Sequence, residues 1–157
     1  RSDRDGMRRL REMLDVRIAG GELNREVAEF RDLIVEGCLD VLQPDVVSVG
    51  GITGLKRVAL MAEEHGLVFT PHTWGNGIGL MANAQLMAGV AGKSYIELPW
   101  DPPDWTPKRR DYMLTSAIEP DARGQLVMPE APGLGIELDE EMLERTRIRD
   151  AVVKSSN

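Results

Sequence analysis

The chain contains a single cysteine, Cys38, among 157 residues. One thiol cannot close an internal disulfide, which excludes a disulfide-stapled secreted scaffold and fits a reducing compartment, so the cytoplasm is the expected location. Aromatic residues are scarce, with three Trp, two Tyr and two Phe. The core must therefore be built from Val, Ile, Leu, Met and Ala, the side chains that fill the space between helices and a parallel sheet. Cations are outnumbered, 19 Lys and Arg against 26 Asp and Glu, and a formal charge of −7 gives a phosphate backbone or an anionic lipid surface little to hold. Neither a nucleic acid nor a membrane is an expected partner. No run approaches the ~18 apolar residues of a spanning helix, and the opening stretch RSDRDGMRRL has no apolar signal core. The length suits one domain, which would bury roughly 70% of the surface its unfolded chain exposes.

Apolar periodicity then organises the chain. Met7, Leu10, Met13 and Leu14 share one face of a helix whose other side is Arg8, Arg9, Arg11 and Glu12, read as a solvated basic face. A β-type run from Asp15 to Ala19 stops at Gly20-Gly21, and Asn24 is placed to cap a helix through Cys38 with Val27, Phe30, Ile34 and Cys38 inward. A second apolar run, Leu39 to Pro44, ends at Asp45; Val46 to Val49 continues to Gly50-Gly51, and Thr53 can cap a helix ending at Gly66. Leu67–Thr70 is the third strand, a small-residue helix spans about Asn76 to Val90, and Ser94–Glu97 is the fourth strand. Strands alternating with helices at this spacing require parallel pairing and right-handed crossovers, leaving an α/β fold that is either a doubly wound sheet or a TIM-type barrel. After Trp100 come Pro-rich turns and a short helix around Lys108 to Leu114; from Ser116 on, the Gly/Pro-rich chain reads as a tail crossing a surface, with no second core.

An ionisable residue stands at or just past the end of each strand: Glu22, Asp45, His72 and Glu97, separated by 23, 27 and 25 positions. In parallel α/β proteins these ends form the mouth where ligands bind, so the four side chains can converge although distant in sequence. Each also has an ordinary reading. Glu22 can be a solvated carboxylate favoured by the dipole of the next helix. Asp45 after Pro44 can be a turn residue, His72 after Pro71 a loop histidine bonded to a carbonyl, and Glu97 the partner of an arginine. His65 sits at a helix end, where a cation complements the dipole, and is given no chemistry. Trp74 and Asn76 are candidate pocket walls for a polyhydroxylated ligand, or ordinary loop packing. Gly50, Gly51 and Gly54 lack the G-x-G-x-x-G spacing of a dinucleotide site. A carboxylate mouth suits a hard cation such as Mg²⁺.

The strings IAGGE, QPDVVSVGGITG, TPHTWGNG and YIELPW, in this order, with PEAPGLGIELDEEML in the tail, resemble the mandelate racemase/muconate lactonizing enzyme family of the enolase superfamily, and more closely its mandelate racemase subgroup. The resemblance implies the C-terminal part of a (β/α) TIM-type barrel. Residues 1–115 would be a partial barrel holding strands five to eight, and residues 116–157 a tail packing back toward a capping domain. It implies that Glu22 is a metal ligand for Mg²⁺, that Asp45 and His72 form a dyad in which the carboxylate orients the imidazole that moves the substrate proton, and that Glu97 is an acid hydrogen-bonded to the substrate carboxylate or enolate oxygen. The implied activity is Mg²⁺-dependent removal of the proton α to a carboxylate through an enediolate. The favoured outcome is dehydration of a sugar acid by a hydro-lyase, with racemisation or epimerisation of a 2-hydroxy acid as the alternative and an inactive half-barrel partner as another. Nothing in the sequence matches the family's lysine base or its first two metal ligands. A fragment, an incomplete enzyme chain or half of a split assembly is expected, as is a homo-oligomer.

Overall fold

The computed structural model describes residues 3–90 and 95–148. In chain order it contains α1 (Arg4–Met13), β1 (Ala19–Gly20), α2 (Val27–Val35), β2 (Val41–Leu42), α3 (Gly51–Glu64), β3 (Val68–Phe69), α4 (Gly77–Val90), α5 (Pro107–Arg110) and α6 (Glu140–Thr146). The strands pair in the order β1-β2-β3, all parallel, with Ala19 opposite Val41 and Val41 opposite Val68. Backbone bonds carry the pairing further, from Gln43 N–H to the Gly20 carbonyl, from Thr70 N–H to Leu42 and from His72 N–H to Pro44. This is the expected alternation of parallel strands with helices.

Several boundaries depart from the sequence reading for local reasons. The helix expected to start at Asn24 starts at Val27, because Glu29 turns its carboxylate back to the N–H groups of Arg25 and Glu26 and closes the first turn there. It stops short of Cys38, since Gly37 adopts φ +67, a left-handed turn that glycine enters without steric cost. Thr53 is no cap; α3 is already under way at Gly51, with Gly54 N–H bonded to Gly50. Val46–Val49, the apolar stretch that leads to Gly50-Gly51, is turn. Ser94 of the expected fourth strand lies outside the described residues, and Tyr95–Glu97 forms no ladder. Side-chain bonds stand in its place, Thr70 Oγ1 donating to the Tyr95 carbonyl and Thr73 Oγ1 to that of Glu97.

One apolar cluster fills the space between the sheet, α2 and α3, with Phe30, Leu42, Val49, Leu55 and Val58 fully or almost fully buried. A second was not expected. Leu80, Met81 and Ala84 of α4 pack with Met113, Leu114 and Ile118, and the half-buried Leu126, Met128, Leu134 and Ile136 close over them. The tail therefore brings a core of its own, and α4, apolar all round, is covered on both faces. The buried Arg110–Asp111 pair ties this layer down: the guanidinium grips both Asp111 oxygens and the Pro99 and Ile118 carbonyls, and Asp111 accepts the Ile118 N–H.

Helix α1 buries no residue fully; Met7 packs against the main apolar cluster, and ion pairs add to this, from Arg4 to Glu36 and Asp32 and from Arg11 to Asp40, so Arg11 is not part of a purely solvated face. Asp40 Oδ2 also accepts the Ile18 N–H, and these two donors, the backbone N–H first, hold its carboxyl below the ordinary Asp range. A group whose folded pKa is depressed stabilises the fold above its unfolded value and loses that contribution as pH falls through the folded one. Asp40→Asn is accordingly expected to lower the urea midpoint at neutral pH, with the gap to the parent chain closing below about pH 4. A gap that stayed constant down to acid would contradict this role.

Candidate active site

The site is built where the chain leaves the three strands. After β1, Gly21 takes φ +113, and a Cβ there would lie 2.7 Å from the Phe30 ring, so only glycine permits this turn. The turn carries Glu22 out of the core, its side chain 54% exposed. After β2, the Pro44 carbonyl accepts the His72 N–H at 2.9 Å, which sets Asp45 and His72 on neighbouring strand ends. Asp45 is buried, and its Oδ2 lies 3.2 Å from His72 Nδ1. A carboxylate oxygen only accepts, so Nδ1 is the ring nitrogen that carries the hydrogen. His72 Nε2 lies 3.8 Å from Glu22 Oε2, and the ring keeps 21% of its surface open. Glu97 joins the group through Thr73, whose N–H donates to its Oε2 at 2.8 Å.

The structure thus brings Glu22, Asp45 and His72 into one line of contacts and sets Glu97 one residue away. Trp74 and Asn76 have other company. Trp74, 43% exposed, stacks on Trp105 with centroids 6.3 Å apart, and the Arg109 guanidinium lies over the far partner of that stack. Asn76 Oδ1 accepts the Gly79 N–H at 3.0 Å and caps α4. His65 bonds Met61 O through Nδ1 at the end of α3.

Two residues of the site escaped the sequence reading. Thr73 joins Glu97 to the β3 end, and nothing in TPHTWG marks it. Asn83 is fully buried and bonds Asp45. Its signal was there to find: an amide in the middle of GIGLMANAQLMAGV, a helix otherwise made almost wholly of apolar and small residues. Among the described residues no three His, Cys, Asp or Glu side chains converge to hold a metal, and no helix is long and apolar enough to cross a membrane.

The family model for the enolase C-terminal domain-like proteins matches residues 1–142. The chain belongs to this family. This enolase C-terminal domain-like chain is 31% identical over 150 residues to the D-galactarolactone cycloisomerase of Agrobacterium fabrum, covering 93% of itself and 39% of that protein. It is 30% identical over 151 residues to the D-gluconate dehydratase of Thermoproteus tenax, covering 92% and 28%. A mandelate racemase/muconate lactonizing protein of Paracoccus denitrificans PD1222, solved in complex with magnesium, superposes with a TM-score of 0.77 at 28% identity, covering 91% of this chain and 37% of that one. The chain therefore spans well under half the length of these relatives, and its parallel strand-helix units are those of the C-terminal part of the superfamily's barrel.

Mg²⁺ takes six oxygen ligands in near-octahedral geometry. Glu22 is exposed and its side chain has the His72 imidazole as its ion-pair-range neighbour among the described residues, so it fits one position of such a set and no more. Calorimetry on the 157-residue chain should consequently show no tight Mg²⁺ binding; a micromolar site would mean that ligands other than Glu22 lie within it.

Proposed function

We propose that this chain, residues 1–115 as barrel strands five to eight and 116–157 as the tail packing toward a capping domain, supplies the proton-moving half of the active site of a sugar-acid dehydratase. The observation that supports it is the Glu22–His72–Asp45 line at the strand ends, with Nδ1 engaged by Asp45 and Nε2 the ring atom left for a substrate. The dehydratase and cycloisomerase relatives support a small-molecule sugar acid as the substrate.

A base other than His72, beyond the described residues, takes the proton α to the carboxylate, the C–H electron pair passes into an enediolate, and a bound Mg²⁺ would supply the positive charge that stabilises it. Glu22 would hold that ion together with carboxylates beyond those described. The enediolate collapses by expelling the β-hydroxyl. His72, protonated, gives the Nε2 hydrogen to that oxygen so that water leaves, and the resulting enol tautomerises to a 2-keto-3-deoxy acid. Asp45 keeps Nδ1 occupied, which orients the ring and balances its charge. Glu97 accepts the Thr73 N–H at Oε2, so a proton on this acid would be carried at Oε1, available to the substrate carboxylate or enolate oxygen. Trp74 and Asn76 are proposed as the wall beside the polyol, Trp74 through its exposed ring and Asn76 through the amide nitrogen that the cap leaves unused. The substrate is free in solution, the enzyme cytoplasmic and a homo-oligomer.

The alternative, a racemase or epimerase, draws support from the Paracoccus denitrificans neighbour, a mandelate racemase/muconate lactonizing protein. The complete polypeptide carrying these residues, given Mg²⁺ and a set of aldonic and aldaric acids in deuterated water, separates the two. Keto-acid formation marks the dehydratase, and α-deuteration without loss of water marks the racemase. His72→Asn should lower turnover roughly 10²-fold or more, the usual contribution of a positioned acid or base. In a dehydratase it should leave α-proton exchange intact, since another group is then the base. Full activity of His72→Asn would remove the imidazole from the mechanism.

A further inference from the structure

Asn83 sits on α4 with no exposed surface, and every polar atom of its side chain is engaged. Oδ1 accepts the Val46 N–H at 3.0 Å. Nδ2 donates to Asp45 Oδ1 at 2.9 Å and lies 3.1 Å from the Gly79 carbonyl and 3.3 Å from that of His72. The amide can face only one way. The Val46 N–H is a donor and needs the oxygen, whereas Asp45, Gly79 and His72 present acceptors and need the nitrogen. One side chain therefore spans the ends of β2 and β3 from a helix packed behind both.

The consequence falls on Asp45. Its Oδ1 takes two donors, Asn83 Nδ2 and the Val47 N–H at 3.1 Å, which leaves Oδ2 as the oxygen turned to His72 Nδ1. Without the amide, Asp45 Oδ1 would keep one donor in a buried site, and rotation of the carboxylate toward other partners would cost less. We infer that Asn83 is a positioning residue: it fixes the Asp45 carboxylate so that Nδ1 of His72 keeps its hydrogen and Nε2 is the ring atom that takes up and gives a proton toward the substrate. Asn83 touches no substrate and acts through Asp45. The inference rests on the proposed role of His72 as the group that moves the proton.

A buried amide that merely ties helix to strand would also destabilise the fold when lost, so stability alone does not test this. The ring tautomer does. In the complete polypeptide labelled with ¹⁵N-histidine, in alkaline buffer where the rings are neutral, long-range ¹H–¹⁵N correlation reads which nitrogen of each ring bears the hydrogen. The His72 signals are assigned by their loss in His72→Asn. The parent protein should show His72 hydrogen-bearing at Nδ1. Asn83→Ala should lose this single form, with signal appearing for hydrogen at Nε2, while His65, bonded to Met61 O at 2.9 Å on the far end of α3, stays as it was. Asp45→Asn should give the same loss, and adding Asn83→Ala to it should change nothing further, because the two act on one link. Should Asn83→Ala fail to fold, Asn83→Leu is close in size and fills the space with no donor to Asp45, and the same loss is expected. A folded Asn83 variant in which His72 stays entirely in the Nδ1–H form overturns the inference. The readout needs no substrate, so failure of the dehydratase reading and failure of this one are told apart.

Discussion

The arrangement depends on the parallel register between β2 and β3. His72 N–H reaches the Pro44 carbonyl two positions beyond the last ladder pair, and that bond sets the imidazole beside the carboxylate of Asp45. Side chains alternate faces along a strand, so a slip of one residue would send one partner to the opposite side of the sheet. What stabilises the register is burial: Leu42 and Phe69, opposite one another, both face the main apolar cluster. Packing of ordinary hydrophobic residues thus determines a distance between two polar ones.

Polar groups can be enclosed at this depth only if each is paired, and the site obeys that condition through α4. The helix is covered by the sheet side on one face and by the tail on the other, which removes water from its middle turn and makes the Asn83 bonds count for more than they would at a surface. The second cluster, the Arg110–Asp111 lock and the side-chain tethers of residues 95–97 belong to the same solution, since each holds chain against α4 or β3 without a further described strand.

Much of this was legible in the sequence, and for identifiable reasons. Strand-helix alternation follows from Val27, Phe30 and Ile34 recurring at helical spacing between apolar runs such as Leu67–Thr70, and Glu22, Asp45, His72 and Glu97 declare themselves by standing past apolar runs. What escaped was tertiary or local competition. Asn24 is a good capping residue by type, yet Glu29 reached the free N–H groups first. Tyr95–Glu97 has strand composition, but its bonds come from threonine side chains. The tail's apolar residues are spaced irregularly between Gly and Pro, so no period announces the cluster they complete. Asn83 shows only as an exception to a pattern, and its partner 38 positions earlier becomes visible once the helix is docked.

The sheet is stitched from near neighbours along the chain. Ala19 pairs with Val41, 22 positions on, and Val41 with Val68, 27 on, whereas the bond from Gln85 to the Leu134 carbonyl spans 49. Closing a loop costs entropy that grows only with the logarithm of its length, and local contacts form fastest. Contacts between successive strand-helix units therefore close shorter loops, at a lower entropy cost, than the contact that joins the tail to α4. The bonds that set the ends of β2 and β3 side by side, His72 N–H to Pro44 and Nδ1 to Asp45, belong to the shorter loops, and the layer that dries them belongs to the longer.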